Sequence, residues 1–295
     1  MRREKLFSND GFYPFIVESN VLLHHEAFDT GRRMFASLLE KRMPERSVTV
    51  LDLACGGEPV VIADIMDSFP DWCFDYTGID INPDQVEQAR SVFKFPDNVA
   101  EVQINEGNAW DFRTTEPARK YDVIFMGMNL HHGTPEEIQY LATRIDDLLE
   151  DDGIFINHDC FRPDDQPYLR RPDTHPENPD ESFQLLDKEI ISSISKPSLT
   201  IDEVHSGTTE PGWRLRYRQS LSITATERGG DSAGIESMNQ HVNLRDYPIS
   251  LQEFRKIFEL VGFKVNTLRY DTRDPLGEFI AMAVASRYDV QLTIR

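Results

Sequence analysis

The chain has 295 residues, a formal net charge of −20 and 39% hydrophobic residues, enough for one large globular domain or a domain with a sizeable insertion. The charge repels phosphate backbones and anionic membrane surfaces, which argues against nucleic acid and membrane as partners. No apolar run approaches the ~20 residues of a membrane span. The N-terminus MRREKLFSND lacks the apolar stretch of a signal peptide. Cys55, Cys73 and Cys160 have no ligand-like spacing, so a reducing, cytoplasmic location is expected.

Residues 11–43 open with an aromatic cluster, Phe12, Tyr13, Phe15 and Ile16. Leu22, Leu23, Phe28, Met34, Phe35, Leu38 and Leu39 then recur at helical spacing, and Pro44 suits the end of that helix. Two readings stay open: helical packing on a core edge, or a lid carrying Tyr13 or His25 over a ligand.

From residue 48 the pattern alternates strand and helix. Val48–Leu53 is an apolar run of the kind buried on both faces of a parallel sheet. It leads into Ala54, Cys55, Gly56 and Gly57, a turn so poor in bulk that a ligand can lie close to its backbone. A helix is expected over 60–69 and a strand over 74–81. Asn82 is placed to cap a helix with Pro83 at its first position. Further strands are expected over 99–104 and 121–126, a helix over 135–149, and a strand over 154–157. Such alternation predicts a parallel, doubly wound sheet.

The rhythm breaks after Cys160. Residues 161–180 hold five prolines and read as loop. Residues 181–195 and 231–243 look helical. The segment beginning GWRLRYRQ at 212 reads as helix rather than strand, because Gly229 and Gly230 follow as stop signals. The whole of 161–245 reads as an inserted cap. The rhythm returns with Ser250, which has Glu253 in the capping-box position, and a helix closed by Gly262. Strands over 263–270 and 279–286, joined by a short loop, predict an antiparallel pair.

These residues together resemble the class I S-adenosylmethionine-dependent methyltransferases. The resemblance covers 48–159 and 246–287. VLDLACGGEP stands for the family's first motif, with Asp52 its acidic residue and Gly56 its middle glycine; Ala54 and Glu58 depart from the more usual glycine. GIDINPDQVEQAR supplies Asp80 at the end of the second strand, EGNAWDF the segment that contacts adenine, and YDVIFMGMNLHH the fourth-strand motif.

The resemblance implies an α/β fold: a doubly wound, seven-stranded Rossmann-like sheet with an antiparallel last strand. An N-terminal helical lid (1–45) and an inserted cap (161–245) would be added to a core made of 46–160 and 246–295. It implies S-adenosyl-L-methionine as cofactor and a small-molecule acceptor methylated at oxygen or nitrogen. Asp80 would accept from the ribose hydroxyls and Ile81 would pack on adenine. Asn108, Ala109 and Trp110 would surround the ring. Asp52, Ala54, Cys55 and Gly56, with Met126, Met128 and Asn129, would hold the rest of the cofactor.

For the acceptor, the candidates are His131, His132 and His158, each a base near neutral pH or a residue orienting its loop by hydrogen bonds. Asp159 is either a charge partner there or a cap for local backbone. Tyr13, Tyr168 and Arg214 are candidates for acceptor contact, Arg214 against the alternative of a solvated helix face. Asn129 and the histidines do not complete an oxygen cage for magnesium, so no metal is expected. A homodimer stays open. So do two other functions: a non-methylating or regulatory protein that binds the cofactor, and a tRNA or protein methyltransferase. A nicotinamide oxidoreductase would need G-x-G-x-x-G after the first strand, which is absent.

Overall fold

The structure is a computed structural model that describes residues 28–40, 46–112, 119–166, 168–170, 197–200, 212–227, 248–269 and 279–288. The aromatic cluster with Tyr13, His25, Pro44, and the helices expected over 181–195 and 231–243 lie outside these residues.

Among the described residues, nine strands and six α-helices follow one another: α1 (28–39), β1 (Val48–Leu53), α2 (Val60–Asp67), β2 (Phe74–Asp80), α3 (Pro83–Ser91), β3 (Val99–Glu106), β4 (Tyr121–Gly127), α4 (Pro135–Leu148), β5 (Leu149–Cys160), β6 (Tyr168–Arg170), β7 (Pro197–Thr200), α5 (Gly212–Glu227), α6 (Leu251–Val261), β8 (Lys264–Arg269) and β9 (Ile280–Ser286). Seven strands form one sheet in the order β3-β2-β1-β4-β5-β9-β8. The first five run parallel, and β9 is antiparallel to both β5 and β8. The closing antiparallel pair is as the short connecting loop predicted.

Alternation along the strands divides the core in two. Val48, Val50, Val123, Phe125, Ile154 and Ile156 face one side, packed with residues of α1, α2, α3 and α5. Leu51, Leu53, Ile124, Met126 and Phe155 face the other, under α4 and α6. Both faces are covered, which is why β1 and β4 read as nearly unbroken apolar runs.

Local chemistry sets the helix ends. The Asn82 side chain accepts from the Asp84 N–H, with Pro83 in the first turn of α3. Thr134 and Glu137 form a capping box at α4, and Ser250 and Glu253 form one at α6; such a cap is worth about 1 kcal/mol. Gly262 ends α6 at φ 104°, a left-handed conformation that suits glycine.

Several bounds differ from expectation. β5 runs from Leu149 to Cys160, beyond the expected 154–157 at both ends. Its acidic start, Glu150 to Asp152, is half-buried to exposed and so carries no apolar strand pattern; the pairing with β4 is irregular between Tyr121 and Val123. The inserted stretch contains β6 and β7, a two-stranded parallel sheet for which no strand was expected.

The insertion leaves and rejoins the core at one place. The Arg162 N–H donates to the Ile249 carbonyl at 3.2 Å, and the Arg162 guanidinium forms a buried ion pair with Glu253. Tyr168 lies under that guanidinium, 5.8 Å from ring centroid to carbon.

Candidate active site

The sheet order reverses between β1 and β4, and ligands of open α/β sheets bind beyond the strand ends at such a switch. Among the described residues, the only non-glycines with positive φ sit there: Ala54 (φ 63°) just after β1 and Met128 (φ 49°) just after β4. Left-handed backbone costs a non-glycine residue ~1–2 kcal/mol, and such strain gathers at functional sites. Gly56 adopts φ 64° without that penalty.

The glycine turn is held from the neighbouring strand. Asp80, at the end of β2, accepts from the Gly56 N–H at 2.9 Å through one oxygen and from the Asn82 N–H at 2.8 Å through the other. Burial raises the Asp80 pKa, offset in part by those backbone donors. The Gly57 N–H donates to Gln85 Oε1 at 2.8 Å, and a Cβ at Gly57 would lie 2.6 Å from the Gln85 and Gln88 side-chain oxygens. Glu58 is exposed and accepts from Gln88 at 2.9 Å, which ties its carboxylate to α3.

Asp52 lies beneath the turn rather than in it. It is buried and accepts from the Tyr76 hydroxyl at 2.8 Å. Burial lifts its pKa to about 7, with Tyr76 opposing and the Asp80 charge adding. Cys55 is buried beside it, and burial together with the two carboxylates pushes the thiol pKa up.

After β3, Asn108 accepts from the Trp110 N–H at 3.1 Å and caps the short 3-10 turn Ala109–Asp111. Ala109 is buried, while Trp110 and Ile81 are half-buried. Met126 has no exposed surface and packs under α4.

The turn after β4 is organised by one residue of β5. Asp159 is fully buried. Its Oδ2 accepts from the N–H groups of Asn129 (3.0 Å) and Leu130 (2.5 Å). Its Oδ1 lies 2.5 Å from His131 Nδ1 and accepts from the Cys160 N–H at 2.7 Å. Asp159 therefore caps local backbone, one of its two expected roles, and also orients a histidine. An ionised carboxylate only accepts, so Nδ1 carries the ring proton of the neutral imidazole.

The other candidates fall as follows. His132 is half-buried, its ring 4.0 Å from that of His131. His158 is buried, and its carbonyl accepts from the Met128 N–H at 2.8 Å. Tyr168 is buried beside Arg162 at the start of the insertion. Arg214 is buried on α5 beside the core residues Trp213 and Tyr217, which corrects the alternative of a solvated face at this position; Arg216 is exposed and Arg218 half-buried. Tyr217 packs edge-on against Phe279 at 5.2 Å, next to the end of β5. His131, Asp159 and Cys160 also place potential metal-ligand atoms within 4.8 Å of one another. The Asp159 oxygens already take four hydrogen bonds, so a cation there would have to break some of them.

Comparison with known proteins agrees with this geometry. Residues 50–153 match the family model described as a methyltransferase domain. No curated protein matches the chain. Among solved structures, the plantazolicin methyltransferase BpumL in complex with SAH is similar at 12% identity and a TM-score of 0.53, over 97% of this chain and 93% of that one. Human N-acetylserotonin methyltransferase in complex with SAM shares 14% identity at a TM-score of 0.46, over 86% of this chain and 51% of that one. Mitomycin 7-O-methyltransferase MmcR shares 13% identity at a TM-score of 0.46, over 90% and 54%. The chain thus spans about half the length of these last two.

Sheet order and switch-point site define the Rossmann-like methyltransferase fold. On that fold, residues 50–153 match a methyltransferase domain. Among the described residues no helix is long and apolar enough to cross a membrane.

Proposed function

We propose that the chain methylates a small-molecule acceptor at oxygen or nitrogen, with His131 as the base and Asp159 as its positioning partner. The observation that carries this reading is the buried His131–Asp159 contact of 2.5 Å at the end of β4 and β5. S-adenosylmethionine supplies a methyl group on a sulfonium, already electrophilic, so the protein's task is alignment, desolvation and proton removal.

The residues present fit that cofactor. Asp80 offers two carboxylate oxygens at the end of β2, a group suited to the two donors of a ribose diol. The turn 54–57 leaves its backbone open to close approach, and Asn108 with Trp110 stands by the adenine. As the acceptor oxygen or nitrogen takes the methyl, its proton passes to His131 Nε2. The resulting imidazolium is stabilised by the Asp159 carboxylate, and such base assistance is worth roughly 10²–10⁴ in rate. The net charge of −20 favours a small acceptor over a nucleic acid. The three free cysteines fit a cytoplasmic setting.

The test has two stages. Calorimetric titration with S-adenosylmethionine and S-adenosylhomocysteine establishes the cofactor. A panel of phenols, alcohols and amines with methyl-labelled cofactor then seeks transfer. Micromolar cofactor binding and label in a small product are expected. Label only in tRNA or protein, or binding without any transfer, refutes the reading.

A further inference from the structure

Gly133 has φ −91° and ψ 149°, an extended backbone open to any residue. Space, not conformation, makes it a glycine. A Cβ there would lie 2.2 Å from Trp110 Cη2 and 2.6 Å from Cζ3, distances no packed carbons tolerate. The indole of Trp110 therefore lies directly against the backbone that follows His131 and His132.

Both partners of this contact are otherwise fixed. On one side, Asn108 caps the turn that carries Trp110, and Asp111 accepts from the Tyr140 hydroxyl of α4 at 3.2 Å. On the other, Asp159 holds residues 129–131 by two backbone N–H groups and one imidazole. The Thr134–Glu137 capping box holds the start of α4. Gly133 is the link between those two anchored stretches. The half-buried indole meets the His131 turn through its contact with Gly133.

We propose that Trp110 is a positioning residue that couples the adenine end of the cofactor pocket to His131, and that Gly133 exists to let the indole make that contact. The proposal rests on the methyltransferase reading above. A cofactor seated beside Trp110 would press the ring on Gly133 and so act on the turn and on the imidazole that Asp159 already holds.

The test follows the His131 imidazole by NMR, with and without S-adenosylhomocysteine, alongside calorimetric affinity. The proteins are wild type, Gly133→Ala, Trp110→Ala and the double variant. In wild type, the ligand should shift the His131 resonance and its titration midpoint. Gly133→Ala should weaken ligand binding about tenfold and abolish the shift at His131. The double variant should match Trp110→Ala within about twofold, because removal of the indole vacates the space the new methyl needs. Wild type that binds the ligand with no response at His131 overturns the coupling alone, without recourse to any variant. A Gly133→Ala loss that persists in the Trp110→Ala background overturns the role given to the indole. Wild type with no affinity for the ligand overturns the methyltransferase reading and the coupling together.

Discussion

Replacing Asp159 tests the architecture of the site most directly. Its two oxygens take four hydrogen bonds, three from backbone N–H groups and one from His131, at 2.5 to 3.0 Å in a fully buried position. Asp159→Ala strands all four donors, and each unpartnered buried group costs roughly 1–3 kcal/mol. Partial relaxation brings the expected loss to about 3–5 kcal/mol, a large share of the ~5–15 kcal/mol typical of a folded domain. Asp159→Asn is gentler and more informative. Its single oxygen can serve two of the four donors, and its amide NH₂ must then face the others. If that oxygen stays with Asn129 and Leu130, the NH₂ faces His131 Nδ1 and drives the ring proton to Nε2. The base is then in the wrong tautomer, and turnover should fall by roughly 10²–10⁴. Urea unfolding measures the stability, ¹⁵N imidazole shifts read the tautomer, and single-turnover transfer gives the rate. A variant that unfolds within about 1 kcal/mol of wild type, keeps the Nδ1–H tautomer and turns over within about threefold refutes the reasoning.

Other substitutions separate the roles within the site. His131→Ala should lower turnover far more than cofactor affinity, whereas His132→Ala should have the smaller effect on turnover; equal losses in both quantities at His131 would mark it as structural. Asp80→Ala frees the Gly56 and Asn82 N–H groups and should weaken S-adenosylhomocysteine binding by roughly 1–3 kcal/mol; unchanged calorimetric affinity would count against the ribose assignment. Asp52 makes the fold pH-dependent. Its pKa is raised from 3.8 to about 7 in the folded chain, so folding favours the protonated form. The stability it contributes is complete below pH 4 and is lost as pH rises towards and through 7. At about 1.4 kcal/mol per tenfold change in the proton equilibrium, the loss is ~4 kcal/mol at most. Asp52→Asn should flatten the slope of unfolding free energy between pH 4 and 8, and an unchanged slope would refute the assignment to this carboxylate.

Much of the frame was legible because it depends on nearest-neighbour chemistry. Asn82 with Pro83, Ser250 with Glu253, and Gly262 each announce a helix end within a few residues of themselves. The apolar runs of β1 and β4 announce burial on two faces. The interior of the site was less legible because its partners are distant in sequence. Asp159 meets the His131 turn from 28 residues away, and nothing local to either shows that one carboxylate serves both backbone and imidazole. Gly133 carries no turn signal, since its reason is the ring of Trp110. Arg214 misleads for a related reason: arginines at 214, 216 and 218 look like a solvated run, yet the helix turns the first of them inward with Trp213 and Tyr217.

The junction at Arg162 has a consequence for how such an enzyme can change. Arg162 and Ser250 are bridged neighbours, so residues 163–249 begin and end at a single doorway. A different stretch of chain fitted to the same doorway, with a helix in place of α5 over the sheet face, would leave every strand of the main sheet in register, and the cofactor turns with it. Acceptor choice can then change through the rest of that segment, while the turns at the switch point are inherited unchanged.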